Sequence, residues 1–300
     1  MFLSLDVKID NLHILTMIKK VFYFIGDIIR LLYSLSKNLS KLGYPPLIKK
    51  EKRTKPISIL GNGPSLLHVL DEFGDKRSNT DLCVVNSSVI TDVFLKLKPE
   101  ILVWADESYF LNKNKENSEE QKSYEVLKTK VDWNLKLYAP NGFPKWFFSE
   151  FSCNKNISVI PFNGAYWKNK SSCLDNLKFR LYELGLLAPV SQNVVISSIY
   201  CALRLGYKNI SLYGVEHSWL RLTEVGDDNI CYLVDEHYYG KEFRPWITPS
   251  GVYIKLHELL QMWVYAFSAY HELNSYANFV GAKIINKTKG SFIDAFDREV

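Results

Sequence analysis

The stretch that decides the fold is "ISILGNGPSLLHVLDEF", residues 57–73: a short apolar run, then Gly61-Asn62-Gly63-Pro64-Ser65, then an apolar-periodic segment. The run reads as a buried strand, and Pro64 suits the first turn of a helix. A plain strand-to-helix connection does not need two glycines and an asparagine. Glycine permits a tight turn or the close approach of another body to the backbone. The N–H groups around a helix start attract phosphate or carboxylate, and Asn62 can add an amide contact to a phosphate, ribose or base. The loop is neither a dinucleotide-binding GxGxxG nor a Walker A loop, because the third glycine and the GK[ST] ending are missing. A tight turn with no ligand is the alternative at this point.

Downstream, short β-rich runs alternate with helical stretches. "PISILG" (56–61), "DLCVVNSS" (81–88), "ILVWADES" (101–108), "LKLYAP" (135–140), "ISVIPF" (157–162), "NISLYGVE" (209–216) and "KIINKT" (283–288) read as buried strands. Helices are expected near 90–97, 118–130, 192–205 and 252–281. This alternation predicts an α/β domain over 56–300, with a mostly parallel sheet covered by helices on both faces. In such a sheet ligands bind at the strand carboxyl ends, near a topological switch point. Polar tails recur there: Gly61–Ser65, Asn86-Ser87-Ser88, Asp106-Glu107-Ser108, Asn163-Gly164 and Glu216-His217-Ser218. Residues 217–250 show no clear periodicity and are rich in aromatics, which predicts a lid loop that orders over substrate.

Composition bounds the rest. With 300 residues and a 47% hydrophobic fraction the chain can bury a sizeable core. The net charge of +5 is concentrated in Lys49–Lys55, a basic linker between segments, and no nucleic-acid-binding motif accompanies it. The five cysteines form no CxxC pair or metal-ligand spacing, so they read as buried free thiols in a reducing cytoplasm. Residues 1–48 are a helical segment. Within it, "ILTMIKKVFYFIGDIIRLLYS" (14–34) is too charged for a membrane span or signal core. An amphipathic helix lying on a membrane surface and a helix packed on the main domain or a partner subunit are both open.

Among candidate chemical groups, Asp106 and Glu107 could hold a divalent metal or hydrogen-bond hydroxyls, or simply cap a helix. His217 at a strand end and His237 within "VDEHYYGK" could each serve as a general base. No GxSxG elbow, HExxH or other nucleophile or zinc signature is present.

"ILGNGPSL", "CVVNSS" and "SSIYCALRLGYKNISLYGVE" together resemble the small bacterial sialyltransferases that build lipooligosaccharide, over about residues 56–240. A wider set of proteins shares the glycine-rich opening, including flagellin nonulosonate-transferase-like proteins and archaeal pterin diphosphokinases. The resemblance implies a GT-A-like variant of the Rossmann-like nucleotide-binding fold and metal-free transfer of sialic acid from CMP-sialic acid. It implies that Asn62 and Asn86 contact the nucleotide, with Gly61, Gly63 and Ser65 as backbone setting. Asp106 stands where those enzymes have a donor-contacting asparagine, and Glu216 stands where they have aspartate. Ser218 or Trp219 replaces a tyrosine that steadies the leaving phosphate. Their "HYxGH" ends on the catalytic histidine. Here "HYYGK" puts Lys241 in that place and keeps His237 at the first.

The function this implies is transfer of a sialic acid or related nonulosonate from a CMP-sugar donor to a glycan or lipid-linked glycan acceptor. No cofactor or nucleic acid is involved, and the work is done in the cytoplasm or on the inner membrane face. Two accounts are open: His237 has taken over as base, with His217 the second choice, or Lys241 neutralises the leaving phosphate. The alternatives are a Mg²⁺-dependent pyrophosphokinase with Asp106 and Glu107 as metal ligands, and a catalytically silent nucleotide-binding module.

Overall fold

A computed structural model of the chain describes residues 3–39, 51–68, 73, 79–237, 240–248 and 251–299. Within these, the side chains of 3–15, 37–39, 68, 235–237 and 240–242 are outside the description. The strands in chain order are β1 (Ile57–Leu60), β2 (Asp81–Val85), β3 (Ile101–Val103), β4 (Leu135–Pro140), β5 (Ile157–Phe162), β6 (Asn209–Tyr213), β7 (Thr223–Val225), β8 (Cys231–His237), β9 (Gly240–Pro245), β10 (Lys283–Asn286) and β11 (Asp297–Arg298). The helices are α1 (Leu3–Leu39), α2 (Asp92–Leu97), α3 (Ser108–Leu111), α4 (Glu119–Lys130), α5 (Asp175–Glu183), α6 (Val194–Leu205) and α7 (Leu256–Phe279). A 3-10 turn over Pro64–His68 follows β1, and a second over Asn86–Ile90 follows β2.

Eight strands form one sheet in the order β11-β10-β6-β1-β2-β3-β4-β5, and every pairing in it is parallel. The α/β architecture expected from the alternating runs is therefore the one observed. Both faces are buried because successive strand residues feed different cores. Ile57, Ile59, Cys83 and Val103 pack with α5, α6 and α7. Leu60, Leu82, Val84 and Leu102 pack with α2 and α4 on the other face. Helix α6 is buried from Val195 to Leu205, so its sequence is apolar nearly all round. Asn193 caps its start, accepting from the N–H groups of Val195 and Ile196 at 3.0 and 3.2 Å. Gly206, at φ +97°, ends it in the left-handed conformation that favours glycine.

Three expectations need correction. The described residues within 217–250 are not an irregular loop: β7, β8 and β9 form a three-stranded antiparallel sheet, seated on Leu259 and Trp263 of α7 through Cys231, Trp219 and Trp246. The small buried cluster and mixed polar-aromatic strands hide the period-2 signal. The described part of the basic linker is not a free tether either. Glu51 N–H bonds the Leu205 carbonyl at 3.0 Å, and the Arg53 guanidinium lies 5.1 Å over the Tyr207 ring. Of the cysteines, Cys83, Cys201 and Cys231 are buried free thiols, while Cys153 and Cys173 are exposed. Burial pushes the Cys83 thiol up to about 12, so it stays protonated at neutral pH.

Helix α1 docks on the domain through its last third. Asp27 is fully buried, and its carboxylate accepts from the N–H groups of Lys170 and Ser171 at 2.8–3.0 Å and from Arg30. Trp167 donates its indole N–H to the Asp27 carbonyl at 2.9 Å, and Leu31 enters the main core. Burial alone would raise the Asp27 carboxyl, but these donors outweigh it and hold it below the ordinary carboxylate value. Among the described residues, no helix is long and apolar enough to cross a membrane.

Replacing Asp27 by Ala is expected to cost about 2 kcal/mol, since it strips a charged acceptor from three donors. Limited proteolysis should then cut α1 several-fold faster; an unchanged cleavage rate and unfolding midpoint would show that Asp27 does not hold the helix. The depressed carboxyl fixes the sign of the pH dependence. Its contribution is complete above the unfolded carboxylate range and is lost as pH falls through the lower folded value.

Candidate functional site

The chain runs outward from β1 to β5, then returns to pair β6 with the other side of β1. The order of strands therefore reverses between β1 and β6, which is the switch point of the sheet. A pocket of about 530 Å³ opens there. Its floor and walls are the tails of four strands: Gly61–Pro64 after β1, Asn86 after β2, Asp106 after β3, and Gly214 with Glu216–Trp219 after β6. The start of α6, from Ser191 to Val195, closes one side, and Leu233 of β8 and Arg244 of β9 close another. Four of the five polar tails singled out in the sequence thus meet. The fifth does not: Gly164 lines a separate cavity beside α1.

The glycines of the opening loop prove to serve the chain itself. Gly61 N–H bonds the Tyr213 carbonyl at 2.8 Å and Gly63 N–H the Gly214 carbonyl at 2.9 Å. Ser65 N–H bonds Glu216 Oε1 at 2.7 Å. A Cβ on Gly61 would stand 2.3 Å from the Gly214 carbonyl oxygen, and one on Gly63 would stand 1.6 Å from Glu216 Oε2. Gly214 itself has φ +64°. The body that approaches this backbone is therefore the 214–216 segment. The N–H groups of Gly61, Gly63 and Ser65 are engaged by Tyr213, Gly214 and Glu216, so these three are not free to form the anion seat expected from the sequence. Glu216 is a brace on the loop through Oε1, and Ser65 stands behind the pocket wall. Asn62 remains at the rim, exposed, with a long 3.5 Å contact from its amide to the Val85 carbonyl.

What the pocket offers a ligand is a set of side-chain polar atoms. Asn86 Oδ1, Asn193 Nδ2 and Glu216 Oε2 are each buried without a hydrogen-bond partner, although native structures pair nearly all such atoms. Asn86 holds φ +48°, in the left-handed region, and its carbonyl accepts from the Trp104 indole N–H at 3.2 Å. His217 also holds φ +48°. Left-handed non-glycine residues in one pocket wall mark a backbone shaped by more than local preference.

His217 is held from behind. Tyr270 donates its single hydroxyl proton to Asn193 Oδ1 at 3.0 Å, so the same oxygen accepts from His217 Nδ1–H at 3.1 Å. That chain fixes the tautomer and leaves Nε2 with the lone pair. The ring stacks on Trp219 with centroids 4.3 Å apart. Burial lowers its pKa to about 3, so the imidazole is neutral at physiological pH. A base works best with a pKa near the working pH, so His217 is shaped as a neutral hydrogen-bonding group rather than a proton acceptor.

Asp106 lines the pocket, and its Oδ1 accepts from Ser108 N–H at 2.8 Å at the start of α3. Among the described residues, no three or more His, Cys, Asp or Glu side chains gather as a metal-binding group. The side chains of His237 and Lys241 lie outside the described residues. Their backbone register is clear: His237 pairs with Gly240 and Lys241 with Glu236 across the β8–β9 hairpin. His237 therefore falls in the same alternation phase as the pocket-lining pair Leu233 and Arg244, and Lys241 falls in the other.

Asn193 and Tyr270 are residues of this arrangement that the sequence reading did not single out, and Arg244 belongs to the 217–250 stretch expected to cover the site. "SQN" before the apolar run "VVISSIY" is a helix-start signature that points to Asn193. Tyr270 lies mid-helix, 77 positions from Asn193, and no local pattern distinguishes it.

The chain superposes on the structure of the MAf glycosyltransferase from Magnetospirillum magneticum AMB-1 with a TM-score of 0.47 and 13% identity, over 84% of this chain and 35% of that one. It thus spans about a third of that protein's length. No protein-family model matches the chain, and no curated protein does.

Two outcomes are expected. Gly63→Ala should lower stability by more than about 3 kcal/mol, since backbone and a braced carboxylate leave no room for a methyl group; near-parental denaturation would contradict the close crossing. In NMR, the His217 ring should stay neutral as the Nδ1–H tautomer down to about pH 4, because its folded pKa is depressed. The unfolded ring protonates near pH 6.5, so stability should fall as pH drops from there toward 3. A His217 titration midpoint near 6.5 in the folded protein would refute this.

Proposed function

We propose that the chain is a glycosyltransferase of the sialyltransferase-like kind. It moves a sialic acid or related nonulosonate from a CMP-activated donor to a glycan acceptor in bacterial surface polysaccharide or lipooligosaccharide assembly. The observation that carries this reading is the convergence of Asn86, Asn193 and His217, with unpartnered amide atoms, on a pocket at the strand switch point. An unpartnered acceptor and an unpartnered donor suit a nucleoside, whose base and ribose present both kinds of group. The motif order "ILGNGPSL", "CVVNSS" and "LYGVE" supports the donor class.

In this scheme the nucleotide lies against Asn62 and Asn86, with His217 Nε2 accepting a hydrogen bond from it. Arg244 is the one cationic side chain among the described pocket-lining residues, and it faces the donor's phosphate or carboxylate. An acceptor hydroxyl attacks the anomeric carbon as the carbon–oxygen bond to the CMP phosphate breaks. The hydroxyl proton passes to His237, and CMP leaves with its new negative charge near Arg244. Lys241 falls in the other phase of the hairpin, so Arg244 takes the charge-neutralising role in its place. The acceptor is a glycan or lipid-linked glycan, and the reaction belongs to the cytoplasm or the inner membrane face. Neither a metal nor another cofactor enters the scheme. The β7–β9 sheet forms the cover of the donor site.

The test uses the full chain. CMP and CMP-sialic acid should raise the melting temperature while UDP-sugars do not, and Asn86→Ala should weaken CMP binding at least about tenfold. His237→Ala should retain CMP affinity and lose about a hundredfold or more in transfer. Stabilisation by no CMP species would overturn the donor class. CMP binding without transfer to any glycan acceptor would overturn the transferase reading in favour of a nucleotide-binding module.

A further inference from the structure

Helix α1 carries a second apolar row besides the one that docks. Ile18, Phe22, Ile25, Ile29 and Leu32 recur along it at steps of four, three, four and three residues. That is the 3.5-residue repeat of a coiled-coil seam, with Phe22 and Ile29 at one core position of the heptad and Ile18, Ile25 and Leu32 at the other. All five are exposed, from 45% at Ile18 to 71% at Phe22. With about 100° of rotation per residue, the row is centred on the side of the helix opposite Asp27. The heptad position at the back of the seam is filled by Lys20, Asp27 and Ser34. Two of these three tie the helix to its own domain: Asp27 as described above, and Ser34 by donating to the Tyr166 carbonyl at 3.0 Å. Leu31 packs into the main core, with Ile28 and Leu35 against it. One side of α1 is therefore taken by the chain's own domain, and the opposite side presents a complete seam.

We propose that this seam is the surface through which two copies of the chain associate, each laying its α1 against the other's. The spacing favours a helix as the occupant, because knobs-into-holes packing asks for alternating steps of three and four. The row contains no charge, so two identical copies can meet on it about a two-fold axis without bringing like charges together. Residues 16–25 are exposed all round, so a second helix can lie alongside without displacing anything the single chain has packed there. Covering the five side chains on both copies removes on the order of 1,000 Å² from water, about the least area that a biological interface buries. The proposal rests on α1 alone and is independent of the function proposed for the pocket.

Analytical ultracentrifugation of the full chain over a concentration series tests it, alongside Ile25→Glu/Ile29→Glu and Ile25→Leu/Ile29→Leu. The parent and the leucine variant should sediment as dimers. The glutamate variant should be a monomer with unchanged circular dichroism, because both positions are exposed in the single chain. If the glutamate variant fails to fold, Phe22→Lys supplies the same comparison at the most exposed position. A parent that is monomeric throughout would overturn the proposal. So would a dimer that survives the charge substitutions. A monomeric parent that co-sediments with anionic phospholipid vesicles, and loses that binding in the glutamate variant, would reassign the row to a membrane surface.

Discussion

The close crossing of two strand tails is the constraint on which the rest of the site depends. The segment after β1 and the segment after β6 run against each other with no room for a methyl group at Gly61 or Gly63. Three hydrogen bonds from Gly61, Gly63 and Ser65 lock them together, the last to the Glu216 carboxylate. This fixes where the β6 tail leaves the sheet, and so where His217, the next residue, enters the pocket. It also leaves Glu216 Oε2 buried without a partner, which costs free energy because a buried polar atom is stabilised only by a hydrogen-bond partner. The crevice lies outside the carboxyl ends of β1 and β6, at the switch point, and the crossed tails form part of its wall.

A second layer holds the pocket from behind. Asn193 serves two masters: it caps α6 and it accepts the Tyr270 hydroxyl proton, which in turn determines the tautomer of His217. One side chain thus couples the start of α6, the middle of α7 and the tail of β6. Such a chain of hydrogen bonds keeps the imidazole in one tautomer and aimed, because each member leaves the next a single way to bond, while burial keeps it neutral. The charge in the pocket comes from elsewhere: Asp106 and Glu216 from the main sheet, and Arg244 from the small antiparallel sheet. That small sheet is seated on α7 through Trp219, Trp246 and Trp263, so the cover and the histidine share one support.

The reach of the sequence differed from element to element. The buried strands were legible because a parallel strand covered on both faces must be apolar throughout, as "ISIL" and "DLCVV" are. The polar tails after β1, β2, β3 and β6 were legible because the switch-point rule tells where to look. Residues 223–245 were not read as strands, since a small sheet with little core shows no clean alternation. The glycine loop was legible as a place of close approach, and the structure shows that the chain's own β6 tail is one body that approaches it. Nothing local to residues 61–65 can show that a segment 150 positions away passes over them. For the same reason, a buried aspartate within a helix of mixed polarity gave no sign that it anchors α1 to residues 170 and 171.

By itself, then, the sequence determined the layered α/β architecture, the edge of the sheet on which the site lies, and most of the residues at its rim. Those follow from periodicity and turn chemistry, which act over a few residues at a time. Only the tertiary structure decided that the loop glycines make way for the chain's own β6 tail, that Glu216 is a brace, and that Asn193 and Tyr270 fix the tautomer of a His217 kept neutral by burial. Each of these depends on which distant segments touch, and contact between distant segments is a product of packing that no local pattern encodes.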